Sequence, residues 1–289
     1  MLRNKIIVLL LSITLAVLGV TSFADSIVPG EIEVVIPNGG RDVPASIVLP
    51  EGEGPYPLVV INHGHGGSRQ ENGGFSGIAQ ALRNVGIASI RMDFPGCGES
   101  TVSFGENNMT NMISDSNASL QYMLDTYEIN KDALGILGYS RGGRIAATVA
   151  AADDSPYAAV AFLAPNTNQT ETEDAQAEYQ IALAEGAFMQ PWYGADLELS
   201  AKYYEDMFAG DALMASLPKM NPSIVVYGDQ DTTIPEDVSL DCANQVGAEI
   251  VKVADADHGY GFYSDQPEVT QAVEGAFTDF FTKAFGLAK

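Results

Sequence analysis

The chain is poor in cysteine, histidine, tryptophan and basic residues, and each scarcity excludes something. Two cysteines, Cys97 and Cys242, are too few for a disulfide scaffold. Only 14 Lys and Arg stand against 38 Asp and Glu, a formal net charge of −24. Such a surface repels nucleic acid and anionic membranes, and a highly charged anionic substrate meets the same repulsion. Three histidines, His63, His65 and His258, confine any imidazole chemistry to three positions. Only one stretch is apolar enough to consider for a membrane, Ile6–Val20, and it is short for a spanning helix. No internal repeat and no low-complexity tract is present.

That apolar stretch follows a basic start, Met1-Leu2-Arg3-Asn4-Lys5, and precedes the small residues of Ser22-Phe23-Ala24. The order predicts a secretory signal peptide over residues 1–24, cut before Asp25, and hence a secreted or periplasmic protein with no membrane contact after cleavage. No cysteine follows the run, so no lipoprotein anchor is expected. Cleavage leaves about 265 residues, a length that suits one large α/β domain. With 46% hydrophobic residues, a sizeable core is available.

Two β-rich runs, Glu31–Ile36 and Val43–Leu49, flank Asn38-Gly39-Gly40 and predict an opening hairpin. Leu58–Asn62 is a continuous apolar run, the pattern of a strand buried on both faces, and it ends in His63-Gly64-His65-Gly66-Gly67. Helical spacing over Phe75–Val85 and Met109–Tyr127 alternates with strand-like Ile87–Phe94, Ala133–Leu137 and Tyr157–Leu163. From Asn166 to Asn221 the chain turns acidic and rich in Ala, Tyr and Met, with helix-like patches at Glu173–Ala184 and Leu199–Phe208. Alternation resumes with Ser223–Tyr227, a helix near Asp237–Val246, the strand Glu249–Val253 and a closing helix over Glu268–Phe285. Buried strands alternating with helices imply a mostly parallel sheet covered on both faces, with 166–221 inserted over its carboxyl edge.

The chemistry-bearing stretch is Ala133–Arg144. An apolar run enters Gly138-Tyr139-Ser140-Arg141-Gly142, and an alanine-rich helix follows. A Gly-x-Ser-x-Gly turn between strand and helix is the setting of a nucleophile elbow. A serine hydroxyl is a weak nucleophile at neutral pH, so it needs a base within reach and an acid to orient that base. His63 and His65 precede the serine in a glycine-rich loop, which leaves His258 as the base. Between serine and histidine, the strand Ser223–Tyr227 runs into Gly228-Asp229-Gln230-Asp231. Asp231 is the candidate acid, and Asp229 reads as a turn former. Backbone N–H donors for an oxyanion are expected from Arg141 and from the loop His63–Gly67. His63 and His65 would point opposite ways along an extended segment with no third ligand nearby, so no metal site is expected.

Four motifs in this order, His63–Gly67, Gly138–Gly142, Gly228–Pro235 and His258-Gly259, resemble the α/β-hydrolase superfamily. Within it, Asp93-Phe94-Pro95-Gly96-Cys97-Gly98-Glu99-Ser100 is similar to the Asp-Phe-x-Gly-x-Gly-x-Ser signature of cinnamoyl/feruloyl-esterase-like serine esterases, and Ser200–Ala215 is similar as well. The resemblance implies an eight-stranded, mostly parallel sheet with helices on both faces and a helical cap over about 166–221. It implies nucleophile Ser140, acid Asp231, base His258 and oxyanion donors at the amides of His65 and Arg141. Two positions depart from the group: His65 stands where phenylalanine is frequent, and Cys97 where histidine is frequent. The implied strand order sets Cys97 and the strand leading to Cys242 four places apart, beyond disulfide reach, so free thiols are expected. Phe188, Met189, Trp192 and Tyr193 form an apolar cluster in the cap that suits either an acyl or aryl pocket or the docking of the cap onto the body.

The expectation is a serine esterase that needs no cofactor and takes a small-molecule ester, of hydroxycinnamoyl or short-chain acyl type. Amide or peptide cleavage on the same framework is the alternative. A non-catalytic binding protein would show a broken constellation, and none of the three side chains is missing.

Overall fold

The computed structural model describes residues 30–220 and 222–287; the signal peptide expected over residues 1–24 lies outside the described residues. The described chain begins with a hairpin, β1 (Ile32–Asn38) and β2 (Arg41–Val48). Asn38 pairs with Arg41 across Gly39-Gly40, whose φ angles of 57° and 82° suit the two-residue turn that follows a twisted ribbon. Next come β3 (Tyr56–Asn62), α1 (Gly74–Asn84), β4 (Ala88–Met92), α2 (Met109–Thr126), β5 (Ile129–Tyr139), α3 (Arg141–Ala150) and β6 (Ala159–Leu163). The insertion holds α4 (Glu173–Glu185), β7 (Ala187–Trp192), β8 (Ala195–Ser200) and α5 (Ala201–Met214). The body closes with β9 (Ser223–Gly228), α6 (Glu236–Val246), β10 (Glu249–Val253) and α7 (Pro267–Ala284).

Eight strands form one sheet in the order β1-β2-β4-β3-β5-β6-β9-β10. Within it β2 pairs antiparallel with both β1 and β4, and every other pairing, from β4 through β3, β5, β6 and β9 to β10, is parallel. The apolar run in β3 explains why both faces are covered. Leu58 and Val60 face a core shared with α2, α3 and α6, whereas Val59 and Ile61 face the core of α1 and α7. On the second face, Gly135 of β5 leaves room for the Phe281 ring of α7, which sits 2.5 Å from where a Cβ would stand. Parallel strands put their carboxyl ends along one edge, and the loops leaving β3, β5, β9 and β10 converge there.

The cap differs from the helical one expected. Besides two helices it contains an antiparallel hairpin, β7–β8, joined by Tyr193-Gly194 with Gly194 at φ 89°. Leu199, expected to open a helix, lies in β8 instead, and α5 begins at Ala201 and runs on to Met214. Cys97 and Cys242 are both free and buried, and burial pushes both thiols up to about 12. The strands preceding them, β4 and β9, stand four places apart. Among the described residues no helix is long and apolar enough to cross a membrane.

Candidate active site

Ser140 sits between β5 and α3 with φ 52° and ψ −119°, a conformation costly for any side-chain-bearing residue. The flanking glycines make that turn possible. A Cβ on Gly138 would lie 2.1 Å from the Gly142 carbonyl oxygen, and one on Gly142 would lie 2.2 Å from the Asn62 carbonyl oxygen. The strained backbone is pinned from both sides. Ser140 N–H donates to the Leu163 carbonyl at 2.9 Å, and its own carbonyl accepts from Asn166 and Gly143, each at 2.9 Å.

The three side chains expected to act together are hydrogen-bonded in line. Ser140 Oγ lies 3.0 Å from His258 Nε2, and His258 Nδ1 lies 2.7 Å from Asp231 Oδ2. The carboxylate fixes the proton on Nδ1, which leaves the Nε2 lone pair facing the serine. Asp231 Oδ1 accepts the N–H groups of Thr233 and Ile234, each at 2.9 Å. Its Oδ2 also accepts from the Tyr260 hydroxyl at 3.3 Å, and that hydroxyl accepts from Gly228 N–H at 2.9 Å. Asp229 stands apart and accepts from the Asp255 N–H, a turn contact. The Tyr139 hydroxyl donates to the His258 carbonyl at 2.6 Å and steadies the loop. Nothing in the motif pointed to Tyr260, whose hydroxyl finds Asp231 only through the fold.

The loop His63–Gly67 lies beside the serine, with Gly64 close enough that a Cβ would sit 3.4 Å from Ser140 Cβ. Its two histidines are occupied internally. His63 Nδ1 donates to the Gly64 carbonyl at 2.8 Å, and Nε2 accepts from Phe94 N–H at 3.1 Å. His65 Nε2 donates to Gln190 Oε1 at 2.7 Å, and Nδ1 accepts from Arg141 Nη1 at 2.9 Å. Burial lowers both rings to about 4, so they are neutral at physiological pH.

Arg141 therefore has two parts in different places. Its amide is the first of α3, where the helix offers no acceptor. Its guanidinium is buried, bonds Asn107 Oδ1 at 2.8 Å and the Asn107 carbonyl at 3.0 Å, and lies 4.4 Å from the Tyr203 ring centroid.

Of the four aromatic and apolar cap residues, the structure does not make one cluster. Alternation along β7 turns Phe188 and Trp192 toward a core with Cys97, Phe104, Leu199 and Tyr204, while Met189 is 51% and Tyr193 95% exposed. Trp192 covers the loop beside the serine: its Nε1 is 2.5 Å from where a Cβ on Gly66 would stand, and its ring meets that of His65 edge-on at 5.0 Å.

A family model described as the alpha/beta hydrolase fold matches residues 57–190. YtaP of Bacillus subtilis (strain 168), named as a hydrolase, is 32% identical over 142 residues, which is 40% of this chain. The match spans 46% of YtaP, about half its length. Est1E of Butyrivibrio proteoclasticus with ferulic acid bound superposes with a TM-score of 0.68 at 20% identity, covering 88% of this chain and 99% of Est1E. EstE1, a thermostable carboxylesterase from a metagenomic library, gives 0.65 at 19% identity over 91% of each chain. The fold is thus the α/β-hydrolase fold, with its eight-stranded, mostly parallel sheet and flanking helices.

Proposed function

We propose that this α/β-hydrolase-fold chain is a serine esterase that cleaves small-molecule carboxylic esters through an acyl-enzyme. The observation that carries the reading is the relay from Ser140 Oγ to His258 Nε2 at 3.0 Å and from His258 Nδ1 to Asp231 Oδ2 at 2.7 Å. Ser140 Oγ attacks the ester carbonyl carbon as its proton passes to His258 Nε2. The tetrahedral oxyanion accepts hydrogen bonds from the amides of Arg141 and His65. Collapse expels the alcohol, which takes the proton from Nε2. A water then gives a proton to Nε2 and attacks the acyl carbon, and the carboxylic acid leaves as Ser140 recovers its hydrogen. Asp231 holds the imidazole in its Nδ1–H tautomer throughout. No step needs a cofactor.

The ferulic acid bound to Est1E and the rings of Phe104, Trp192 and Tyr203 around His65 support an aromatic or short acyl group. The basic, then apolar, then small pattern of residues 1–24 supports secretion or delivery to a periplasm.

The test is a hydrolysis profile from acetyl to long-chain aryl esters, with methyl hydroxycinnamates and matched anilides alongside, together with fluorophosphonate labelling. Turnover of esters, labelling at Ser140, and loss of both in Ser140→Ala are expected. Anilide cleavage exceeding ester cleavage would make the chain an amidase, and an unlabelled Ser140 would remove the reading altogether.

A further inference from the structure

Outside the relay, one buried carboxylate is built into the oxyanion loop. Glu71 is 1% exposed and sits at φ 42°, followed by Asn72 at φ 52°. Its Oε1 accepts the Gly64 N–H at 3.1 Å, and its Oε2 accepts the hydroxyl proton of Tyr263. Gly64 belongs to the loop beside Ser140, and Tyr263 to the loop that carries His258. The neighbouring residues repeat the connection. Asn72 Nδ2 donates to the Phe262 carbonyl at 2.6 Å, and the Phe262 ring stands 2.1 Å from where a Cβ on Gly74 would lie. Gly67 fits the same design, since a Cβ there would come within 2.2 Å of Glu71 Oε1.

We propose that Glu71 is a positioning residue that braces the oxyanion loop against the His258 loop and so fixes the alignment of the His65 amide with the relay. The inference rests on the esterase reading above. By holding the Gly64 N–H, the carboxylate turns that donor away from the substrate and sets the plane of the His63–Gly64 peptide, the one before the peptide that carries the His65 amide. Among the described residues no lysine or arginine pairs with Glu71, and burial pushes its carboxyl up to about 7. The groups facing it are Gly64, Ser68, Tyr263 and His258. A merely structural salt bridge would include a cation; this carboxylate connects two loops of the site instead.

The experiment compares kcat and KM on 4-nitrophenyl acetate for the full chain and for Glu71→Ala, Glu71→Gln and Tyr263→Phe, with fluorophosphonate labelling of Ser140. A misplacement on the order of 1 Å costs up to about 100-fold, so Glu71→Ala is expected to lower kcat by about 10- to 100-fold with little change in KM. Glu71→Gln restores kcat to within about threefold, because the amide oxygen still accepts from Gly64 and the amide NH2 still reaches Tyr263. Tyr263→Phe, which frees one end of the brace, lowers kcat by about 3- to 10-fold and carries the test if Glu71→Ala does not fold. Wild-type kcat in Tyr263→Phe, Glu71→Gln as slow as Glu71→Ala, or a rise in KM alone would each overturn the brace. An active, labelled wild type with equally active variants overturns the brace only. A wild type with neither turnover nor label overturns the esterase reading and the brace with it.

Discussion

Replacing Glu71 by glutamine should stabilise the protein, and only above a defined pH. The carboxyl is buried without a cation partner, and its folded value of about 7 lies above the 4.5 of an exposed glutamate. Between pH 4.5 and 7 the folded chain therefore holds a proton that the unfolded chain has released, and stability falls as pH rises through that window. Below pH 4.5 both states are protonated and the side chain costs nothing. The gap between the two values corresponds to ~3 kcal/mol at 1.36 kcal/mol per pKa unit. Glutamine keeps the shape and one acceptor but has no charge to desolvate. The difference in unfolding free energy between Glu71→Gln and the wild type should thus be near zero at pH 4.5 and climb to ~3 kcal/mol in favour of the variant by pH 8. Urea melts at intervals of half a pH unit would trace the curve, and taking the difference cancels every other titrating group. A flat difference across that range would refute the reasoning, because it would mean that the carboxylate is solvated or paired at neutral pH.

His63 and His65 act in the opposite direction. Burial lowers each from 6.5 to about 4, so the unfolded chain binds more protons in that window, and stability drops as pH falls from 6.5 to 4. Each ring contributes ~3 kcal/mol over the full window; urea midpoints of the Glu71→Gln variant, free of the opposing carboxyl, should show the decline, and a constant midpoint would count against neutral buried rings. Ser140→Gly should raise the melting temperature even as it abolishes turnover, since glycine relieves a φ of 52° that costs ~1–3 kcal/mol; an unchanged or lower melting temperature under calorimetry would argue against stored strain. Tyr260→Phe removes a donor from Asp231 and strands the buried Gly228 N–H, at a cost of ~1–3 kcal/mol in stability. Thermal melts at pH 7 check it, and no loss would mean that the hydroxyl is dispensable. Gly66→Ala meets both a φ of 63° and the Trp192 ring, so it should push the hairpin off the loop. Trp192 is the only tryptophan, and its emission should shift to the red; an unmoved spectrum would place the collision elsewhere.

What could be seen in the sequence was whatever depends on neighbours along the chain or on scarcity. Gly138 and Gly142 flank Ser140 because two backbones meet within one turn, so the elbow is written locally. His258 stood out because only three histidines exist, and Asp231 because it follows a buried strand at the expected point in the order. The hairpin of the cap was less legible. Pro191 interrupts the β-like run of β7, and a strand that carries proline is confined to positions where its missing N–H is not required. The joining pair, Tyr193-Gly194, lacks the Asn-Gly or Asp-Gly that advertises a two-residue turn.

Glu71 was not legible at all, and the reason is physical. Its bond to Tyr263 joins residues 192 positions apart, and its φ of 42° is one that no propensity assigns to glutamate. A residue in that conformation persists only where the surroundings over-determine it. Here they do, through Gly64 on one side and Tyr263 on the other, with Gly67 leaving the space. The groups expected to meet the substrate could be read from local pattern, whereas the group that aligns them is defined only by two loops meeting. Local rules fail where the chain bears strain and buries an unpaired charge together, and that coincidence is what singles out Glu71 as a residue kept for alignment rather than for stability.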